Sequence, residues 1–345
     1  MKMHESLREE LFRIIEAVVI LSPTSFIFAD NPSNGIAMPV FGLELATGTP
    51  PILGELASVL YQHCYCRRFT GRIENGPPSQ EKGNAGWIGA LVRANQSRER
   101  WEDGWQVLHS TPNGQVAAKR GGITRLLAPG EFVNLSGSGM VLAPGATVRL
   151  YVPRESLTSQ PGYYFMFGES LPDSSDESSI VRFYWNVSLE GVPQLLQLLS
   201  GELNKWQVPF RFKTASQPAP VRRSDGAVLY TSRRHADFTC KVASEICEKL
   251  GPLLNDEVPL FTLQLAPGLA FAEDPGNQES FGMSRCRMLA EGIWSAYRKN
   301  AKQTLERLET VEEWFSSVGI SLARPWLSAG SANEFKFAAI DPAAA

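Results

Sequence analysis

Apolar residues recur at helical spacing at both ends of the chain. Near the N terminus, five apolar residues share one face of a predicted helix: Leu7, Leu11, Ile14, Ile15 and Val18. Similar patterns predict helices near 55–69, 191–206 and 235–250, and a last long helix from about 279. Whether this last helix continues past 315 is left open.

The middle of the chain has the period of short strands instead. From Trp101, alternating segments such as ATVRLYVP, VRFYWNVS, VPFRFKT, GAVLYTS and VPLFTLQL lie between turns rich in Gly and Pro. This spacing favours antiparallel strands over βαβ units. We therefore predict an α+β fold: a mostly antiparallel sheet flanked by helices, with an N-terminal helical segment and a long C-terminal helix. We divide the chain into an N-terminal segment (1–84), a main domain (85–330) and a loose tail (331–345).

Strand alternation predicts which side chains share a face. In the segment FRFK, the two phenylalanines point one way and Arg211 and Lys213 the other. The same rule places Arg182 with Tyr184 on one strand and Val228 with Tyr230 on another. Such polar faces are either solvated or form a binding site. We interpret the run YYFMF at 163–167 as core residues, with a peptide groove as the alternative.

Charge is distributed unevenly along the 345 residues. The chain has 33 basic and 36 acidic residues, a net charge of −3, which argues against general binding to nucleic acid or an anionic membrane. Between 205 and 234, however, seven Lys or Arg residues accompany a single acid, Asp225. This local excess indicates an anion site.

Other classes of protein are disfavoured by what the sequence lacks. Five cysteines without paired CxxC motifs fit a reducing compartment, and Cys64 and Cys66 have no second ligand cluster, so we predict neither metal nor cofactor. No G-x-S-x-G motif is present. No targeting segment is visible and no stretch approaches the roughly 20 apolar residues of a membrane span, which predicts a cytoplasmic protein.

The clustered cations suit a site in which arginines hold a phosphate while a neighbouring lysine removes a proton. Arginine forks hold two phosphate oxygens at once, and a lysine crowded by other cations and partly desolvated has a lowered pKa. Lys213 is our candidate base, with Arg182, Arg223 and Arg285 on the phosphate. Tyr184 or Tyr230 could donate a proton. Asp225 is expected to orient Arg223 or to cap the turn SDG.

Four blocks carry a resemblance to a known family: VRFYWNVSLEGVPQLLQLL, VPFRFKT, RRSDGAVLYT and PLFTLQLAPGLAFAEDPGNQESFGMSRCRMLAEGIW. Together they resemble the HrmA (Hop-A) family of type III effectors of plant pathogens, over roughly residues 85–300. Relatives serve as the lyase component in class V lanthipeptide and thioviridamide-like pathways. The resemblance implies a phospho-Ser/Thr lyase whose partners are a phosphorylated precursor peptide and a kinase-like phosphotransferase.

The order of basic residues is also similar to that of OspF-type phosphothreonine lyases. This second resemblance implies Lys213 as the base, Arg223 and Tyr230 as site residues, and Arg285 or Arg287 as the late arginine. Arg182-x-Tyr184 stands where that family has Lys-x-His, so the histidine acid is absent and the general acid stays open. We include Arg211 and Arg287 with the phosphate-binding arginines. The alternative function is a non-catalytic protein that binds phosphopeptides or host proteins.

Overall fold

The computed structural model describes residues 2–32, 50–73, 86–137, 142–218, 223–276 and 279–337. The helices in these ranges are α1 (Lys2–Glu16), α2 (Ile52–Leu60), α3 (Trp87–Ala94), α4 (Ser174–Ser178), α5 (Gly191–Lys205), α6 (Ala236–Leu250), α7 (Phe281–Arg298) and α8 (Thr304–Ser317). A short π-helix, Tyr61–Tyr65, continues α2, and two 3₁₀ turns span Arg233–His235 and Gly251–Leu253. The predicted α+β class is confirmed.

The described strands form three antiparallel sheets. The first contains β1 (Val18–Ser22), β2 (Ser25–Phe28) and β3 (Asn31–Pro32). The second has the order β6-β5-β4-β8-β7 and comprises β4 (Arg100–Ser110), β5 (Val116–Arg120), β6 (Ile123–Leu127), β7 (Phe132–Asn134) and β8 (Thr147–Val152). The third has seven strands: β9 (Glu155–Ser156), β10 (Tyr163–Phe167), β11 (Ile180–Trp185), β12 (Phe210–Ala215), β13 (Ala227–Ser232), β14 (Leu263–Ala266) and β15 (Leu269–Glu273).

The seven-stranded sheet is the centre of the molecule, with the order β14-β15-β11-β13-β12-β10-β9. One face is mainly apolar and contributes Phe183, Trp185, Phe212, Leu229 and Phe271 to the main core, all fully buried. Leucines of α5 and apolar residues of α6 belong to the same core. Because successive side chains of a strand alternate, Arg182, Arg211 and Lys213 lie on the opposite face.

The C-terminal helical region differs from the single long helix left open by the sequence pattern. It consists of α7 and α8, separated by a turn in which Asn300 has a positive φ of 57°. The Glu306 side chain accepts hydrogen bonds from the backbone N–H of Lys302 and Gln303, at 3.1 and 3.3 Å, so it caps the start of α8. The predicted strand VPLFTLQL is also shorter, since regular pairing begins only at Leu263.

The ends of the chain are packed against the main domain. The Arg8 Nε atom donates to Glu312 of α8 at 2.8 Å, and Arg307 donates to the Val18 carbonyl at 2.6 Å. In the segment predicted as a loose tail, residues 331–337 lack regular structure, yet the rings of Phe335 and Phe337 each lie 4.7 Å from Phe271. Residues 338–345 of that tail lie outside the described residues.

Candidate active site

Three neighbouring strands bring the predicted cations together on one face of the seven-stranded sheet. In the β12–β13 pair Arg211 lies opposite Tyr230 and Lys213 opposite Val228. In the β11–β13 pair Arg182 lies opposite Tyr230 and Tyr184 opposite Val228. Residues directly opposite each other in an antiparallel pair share a face. We call this face the site face, and Arg182, Arg211, Lys213 and Arg223 the cation cluster.

Tyr230 lies between two guanidinium groups. Its ring centroid is 4.6 Å from the Cζ atom of Arg211 and 5.3 Å from that of Arg182, which are cation–π distances. Burial raises the pKa of Tyr230, although both arginines oppose the shift, so the hydroxyl is protonated at neutral pH. Arg211 is exposed and has no carboxylate partner among the described residues.

Lys213 is half-buried on the open side of this face. Its Nζ atom donates to Gln160 Oε1 at 2.9 Å and lies 3.8 Å from the ring centroid of Tyr163. Neither neighbour is negatively charged, so the ammonium form gains less than it would from a carboxylate. Like Arg211, Lys213 has no ion-pair partner within the described part of the chain.

Burial and neighbouring cations make the Lys213 amine a weaker base than an ordinary lysine. Burial lowers the pKa of Lys213 to about 8. Asp225 opposes this shift, whereas the guanidinium groups of Arg182, Arg223 and Arg211 add to it. A substantial fraction of the side chain is therefore neutral just above neutral pH, as a general base requires.

Arg223 is held in one orientation by two partners. Its Nε and Nη2 atoms donate to the two carboxylate oxygens of Asp225, each at 2.9 Å, and Nη2 also donates to the Tyr61 hydroxyl at 2.9 Å. The Tyr61 hydroxyl in turn donates to Asp225 Oδ2 at 2.9 Å. Burial opposes the charge on Asp225, but Arg223 and these hydrogen bonds outweigh it, and the net pKa of Asp225 is lowered. Asp225 is thus an ionised partner of Arg223.

The π-helix anchors the loop that carries this pair. Because Cys66 N–H bonds to the carbonyl of Tyr61, five residues earlier, the helix widens at its end. The freed carbonyls of Tyr65 and Cys66 accept from Ser224, from Oγ at 3.1 Å and from the backbone N–H at 2.8 Å. Ser224 lies between Arg223 and Asp225, so this contact fixes both side chains from the N-terminal segment.

The β11 side of the site face is covered by α7 and the π-helix. The Tyr184 ring lies 6.4 Å from Phe281 of α7, and Tyr184 is only 3% exposed. Gly282 permits this packing, because a Cβ atom there would lie 2.4 Å from the Tyr65 ring. Burial raises the pKa of Tyr184 to about 12. The structure therefore places Tyr184 under the cation cluster instead of at its surface.

Arg182 is also largely covered. It is 8% exposed, its Nε atom donates to Asp274 Oδ2 at 2.8 Å, and Nη2 donates to the Glu279 carbonyl at 3.4 Å. Burial opposes its charge, but Tyr184, Tyr230 and Asp274 outweigh this and raise the pKa of Arg182. Arg182 therefore contributes a positive charge next to the Tyr230 ring, while its own carboxylate partner is Asp274.

Two of the predicted phosphate-binding arginines do not join the cluster. Arg285 is 1% exposed, and its guanidinium donates to the backbone carbonyls of Pro325 and Leu327 at 2.8 and 2.7 Å. Its burial at the start of α7, where the helix packs on the sheet, makes it a structural residue. Arg287 donates to the carboxylates of Glu279 and Glu291 at 3.0–3.2 Å. The predicted phosphate-binding set is therefore reduced to Arg182, Arg211 and Arg223, whose binding of phosphate stays a prediction.

Four residues of the site were not singled out as site residues by the sequence pattern: Tyr61, Gln160, Tyr163 and Asp274. Tyr61 is far away along the chain and has no local motif. Gln160 precedes β10 in a polar turn, and its position is set by the register that pairs Phe165 with Lys213. The sequence did contain a signal for Tyr163. Alternation along β10 assigns half-buried Tyr163 and fully buried Tyr164 to opposite faces of the sheet.

Replacing Tyr61 by phenylalanine tests its role in holding Arg223. The variant loses two hydrogen bonds to the Arg223–Asp225 pair, so we expect affinity for a phosphopeptide, the ligand predicted from the sequence, to fall about five- to tenfold, equivalent to roughly 1 kcal/mol. Tyr297→Phe, on the exposed side of α7, is the matched control. Equal affinities of the two variants, measured by fluorescence anisotropy, would show that Tyr61 does not position Arg223.

Within the described ranges, no group of three or more His, Cys, Asp or Glu residues is arranged to hold a metal ion. The five cysteines are all buried and unpaired. Among the same residues, no helix combines the length and apolarity needed to cross a membrane.

Comparison with known proteins gives a family. No curated protein matches the chain. The similar solved structures include an effector protein of Pseudomonas syringae pv. tomato strain DC3000 (14% identity, 94% of this chain and 97% of that chain, TM-score 0.49) and one of P. syringae pv. syringae strain 61 (18% identity, 50% and 67%, TM-score 0.38). The family model of the HopA1 effector proteins matches residues 154–327, half of the chain and the stretch that contains the site face. The chain therefore belongs to the HopA1 effector protein family.

Proposed function

We propose that this protein is a phosphoserine/phosphothreonine lyase, which eliminates phosphate from a phosphorylated precursor peptide to leave dehydroalanine or dehydrobutyrine. The observation that carries the proposal is Lys213: a half-buried amine with a pKa of about 8, without a carboxylate partner, two residues from an exposed arginine. A phosphate ligand and a base beside it are what a β-elimination needs.

In this reaction the neutral Lys213 amine takes the proton from Cα of the phosphoresidue. The electron pair of the Cα–H bond forms the Cα=Cβ double bond, and the Cβ–O bond breaks. The phosphate leaves with the electron pair of that bond. No water is consumed and no cofactor enters the balance.

The charge of the cation cluster matches that of the leaving group. Four cations face two carboxylates, Asp225 and Asp274, which leaves two positive charges when Lys213 is protonated and one when it is neutral. A phosphomonoester carries about −1.5 to −2 charges at pH 7. Arg211 and Arg223 can contact phosphate oxygens from the exposed side. Arg182 is largely buried and stabilises the phosphate through its positive charge, without direct contact.

Tyr230 is the better placed of the two candidate proton donors. It is half-buried between Arg182 and Arg211, while Tyr184 is covered by α7. Within the described residues, no hydrogen bond occupies its hydroxyl. A phosphate held by arginines can also leave as the dianion, so Tyr230 would assist departure without being indispensable.

The proposed partners follow from this chemistry. The substrate must already carry phosphate, so a phosphotransferase has to act first, and the resemblance to natural-product lyases implies a separate kinase-like protein in that role. The net charge of −3 supports a peptide substrate over nucleic acid or an anionic membrane. We also propose that the protein is located in the cytoplasm.

A non-catalytic phosphopeptide reader is the competing function. A reader needs the arginines but gains nothing from an amine of low pKa, since a neutral lysine binds phosphate more weakly than a protonated one. The lowered pKa of Lys213 is the observation that favours the lyase.

Mass spectrometry distinguishes these functions. Phosphoserine and phosphothreonine peptides would be incubated with the protein, alone and with the kinase-like partner, beside unphosphorylated peptides. A lyase product is lighter than the unphosphorylated peptide by one water, whereas a phosphatase product has the same mass as that peptide. Phosphopeptide that binds and stays intact under both conditions would instead support the reader.

The pH dependence of elimination tests the assignment of the base. Because the neutral form of Lys213 is active, we expect kcat/KM to rise with pH and to level off above about pH 8, the pKa of Lys213. Arg211 lowers this pKa, so in Arg211→Gln the pKa rises and the rising limb moves to higher pH. Arg120→Gln, in the five-stranded sheet, should leave the limb in place. A limb that stays in place in Arg211→Gln would show that Arg211 does not lower the pKa of the titrating base.

A further inference from the structure

The site face continues past the cation cluster into a groove. A cavity of about 470 Å³ lies over the next residues of the same strands. Two residues link this cavity to the cation cluster. Arg211 is a member of the cluster, Tyr230 packs against it, and both line the cavity. We call the cavity the apolar groove.

Strand register explains why the cavity and the cluster are continuous. The residues opposite one another form rows across the site face: Phe165 with Lys213 and Val228, then Phe167 with Arg211 and Tyr230, then Ile180 with Ser232, with Pro209 just before the start of β12. Successive rows are two residues apart along each strand, about 7 Å. The first row holds the candidate base, and the second and third rows line the groove.

The walls of the groove are mainly apolar. Val152 and Pro153 come from the end of β8, and Leu171 and Pro172 from the loop before α4. Two acids at the rim are already paired, Glu177 with Arg125 at 2.5 Å and Asp176 with Arg234 at 2.7 Å. The groove therefore presents an apolar surface beside a site for a dianion.

We propose that the apolar groove binds a large aliphatic or aromatic side chain of the substrate peptide, two positions from the phosphoresidue. In an extended peptide, side chains at i and i+2 lie on one side and are about 7 Å apart, which is the spacing of the rows. With its Cα beside Lys213 and its phosphate between Arg211 and Arg223, the peptide brings the i+2 or i−2 side chain to the second row, against Phe167 at the start of the groove. This inference rests on the proposed phosphopeptide substrate and adds a sequence requirement to it.

The size of the groove agrees with such an occupant. Small-molecule pockets span about 300–1,000 Å³, so a cavity of about 470 Å³ accepts one bulky side chain with its adjoining backbone. Burial of a leucine side chain raises affinity by roughly ten- to a hundredfold. A serine at the same position leaves the apolar walls in contact with water and gains nothing.

The test compares phosphoserine peptides that carry leucine or serine two residues before or two residues after the phosphoresidue. Affinity is measured by fluorescence anisotropy with Lys213→Ala, which cannot turn the peptide over, and elimination is measured with the wild type. We expect leucine at one of the two positions to raise affinity about tenfold. Leu171→Trp, which fills the groove, should remove this preference, and Leu305→Trp, at an exposed position of α8, should retain it.

Each outcome separates the groove from the lyase. Elimination that proceeds equally with leucine and serine at both positions would contradict the proposed role of the groove and would still support the lyase activity. A leucine preference in binding, without any elimination by the protein alone or with the kinase-like partner, would support the groove and contradict the lyase. If no phosphopeptide binds, both proposals fail.

Discussion

Lys213→Ala is expected to abolish elimination while phosphopeptide binding changes only a few-fold. Loss of a general base slows a reaction by about 10²- to 10⁴-fold. Binding survives because Arg211 and Arg223 still face the phosphate, and the variant leaves no buried charge behind. The measurement is the rate of dehydro-peptide formation by mass spectrometry, together with affinity by anisotropy.

Two further variants control this experiment. Lys213→Arg keeps a positive charge at this position but cannot become neutral near pH 8, so it should bind phosphopeptide and remain inactive. Lys205→Ala, at the exposed end of α5, should behave as the wild type. Full elimination by Lys213→Ala would exclude Lys213 as the base, whatever its pKa.

Asp225→Asn is expected to lower the free energy of unfolding by about 3 kcal/mol. Removing one partner of a buried ion pair leaves the other charge uncompensated, at a cost of roughly 3–5 kcal/mol. We take the lower end of this range because a third of the Arg223 side chain is exposed. Urea denaturation at neutral pH measures the difference.

The loss of stability caused by Asp225→Asn should become smaller as the pH falls. The folded-state pKa of Asp225 lies below its ordinary value, so its contribution to stability is complete above about pH 4 and is lost as the pH falls through the folded pKa. The gap between the wild type and Asp225→Asn should therefore narrow in acid. Asp103→Asn breaks a solvent-exposed pair with Arg149 and is expected to leave the denaturation midpoint unchanged. Similar midpoints for Asp225→Asn and the wild type would show that the Asp225–Arg223 pair is not needed for stability.

The sequence pattern predicted the elements that carry the cluster, because its evidence was local. A period of two separates Arg211 and Lys213 from Phe210 and Phe212 without reference to any other strand. The helical periodicity of α5 and α6 likewise follows from their own apolar residues. These parts of the fold could be predicted from single segments.

Residues whose role depends on distant packing could not be predicted in this way. Arg285 was predicted to hold the phosphate, but the carbonyls that it binds belong to residues 325 and 327. Tyr61 lies more than 160 residues before Arg223 and has no pattern that links the two. The same packing decides that Tyr184 is covered while Tyr230, on the next strand, stays accessible.

The fate of the Cα hydrogen tests the central claim most directly. A phosphoserine peptide deuterated at Cα would be incubated with the protein and the proposed kinase-like partner, and the product analysed by mass spectrometry. The lyase account predicts that every peptide that loses phosphate also loses the Cα deuterium, and that Lys213→Ala loses neither. Loss of phosphate with the deuterium retained, or binding of the phosphopeptide without loss of either, would contradict it.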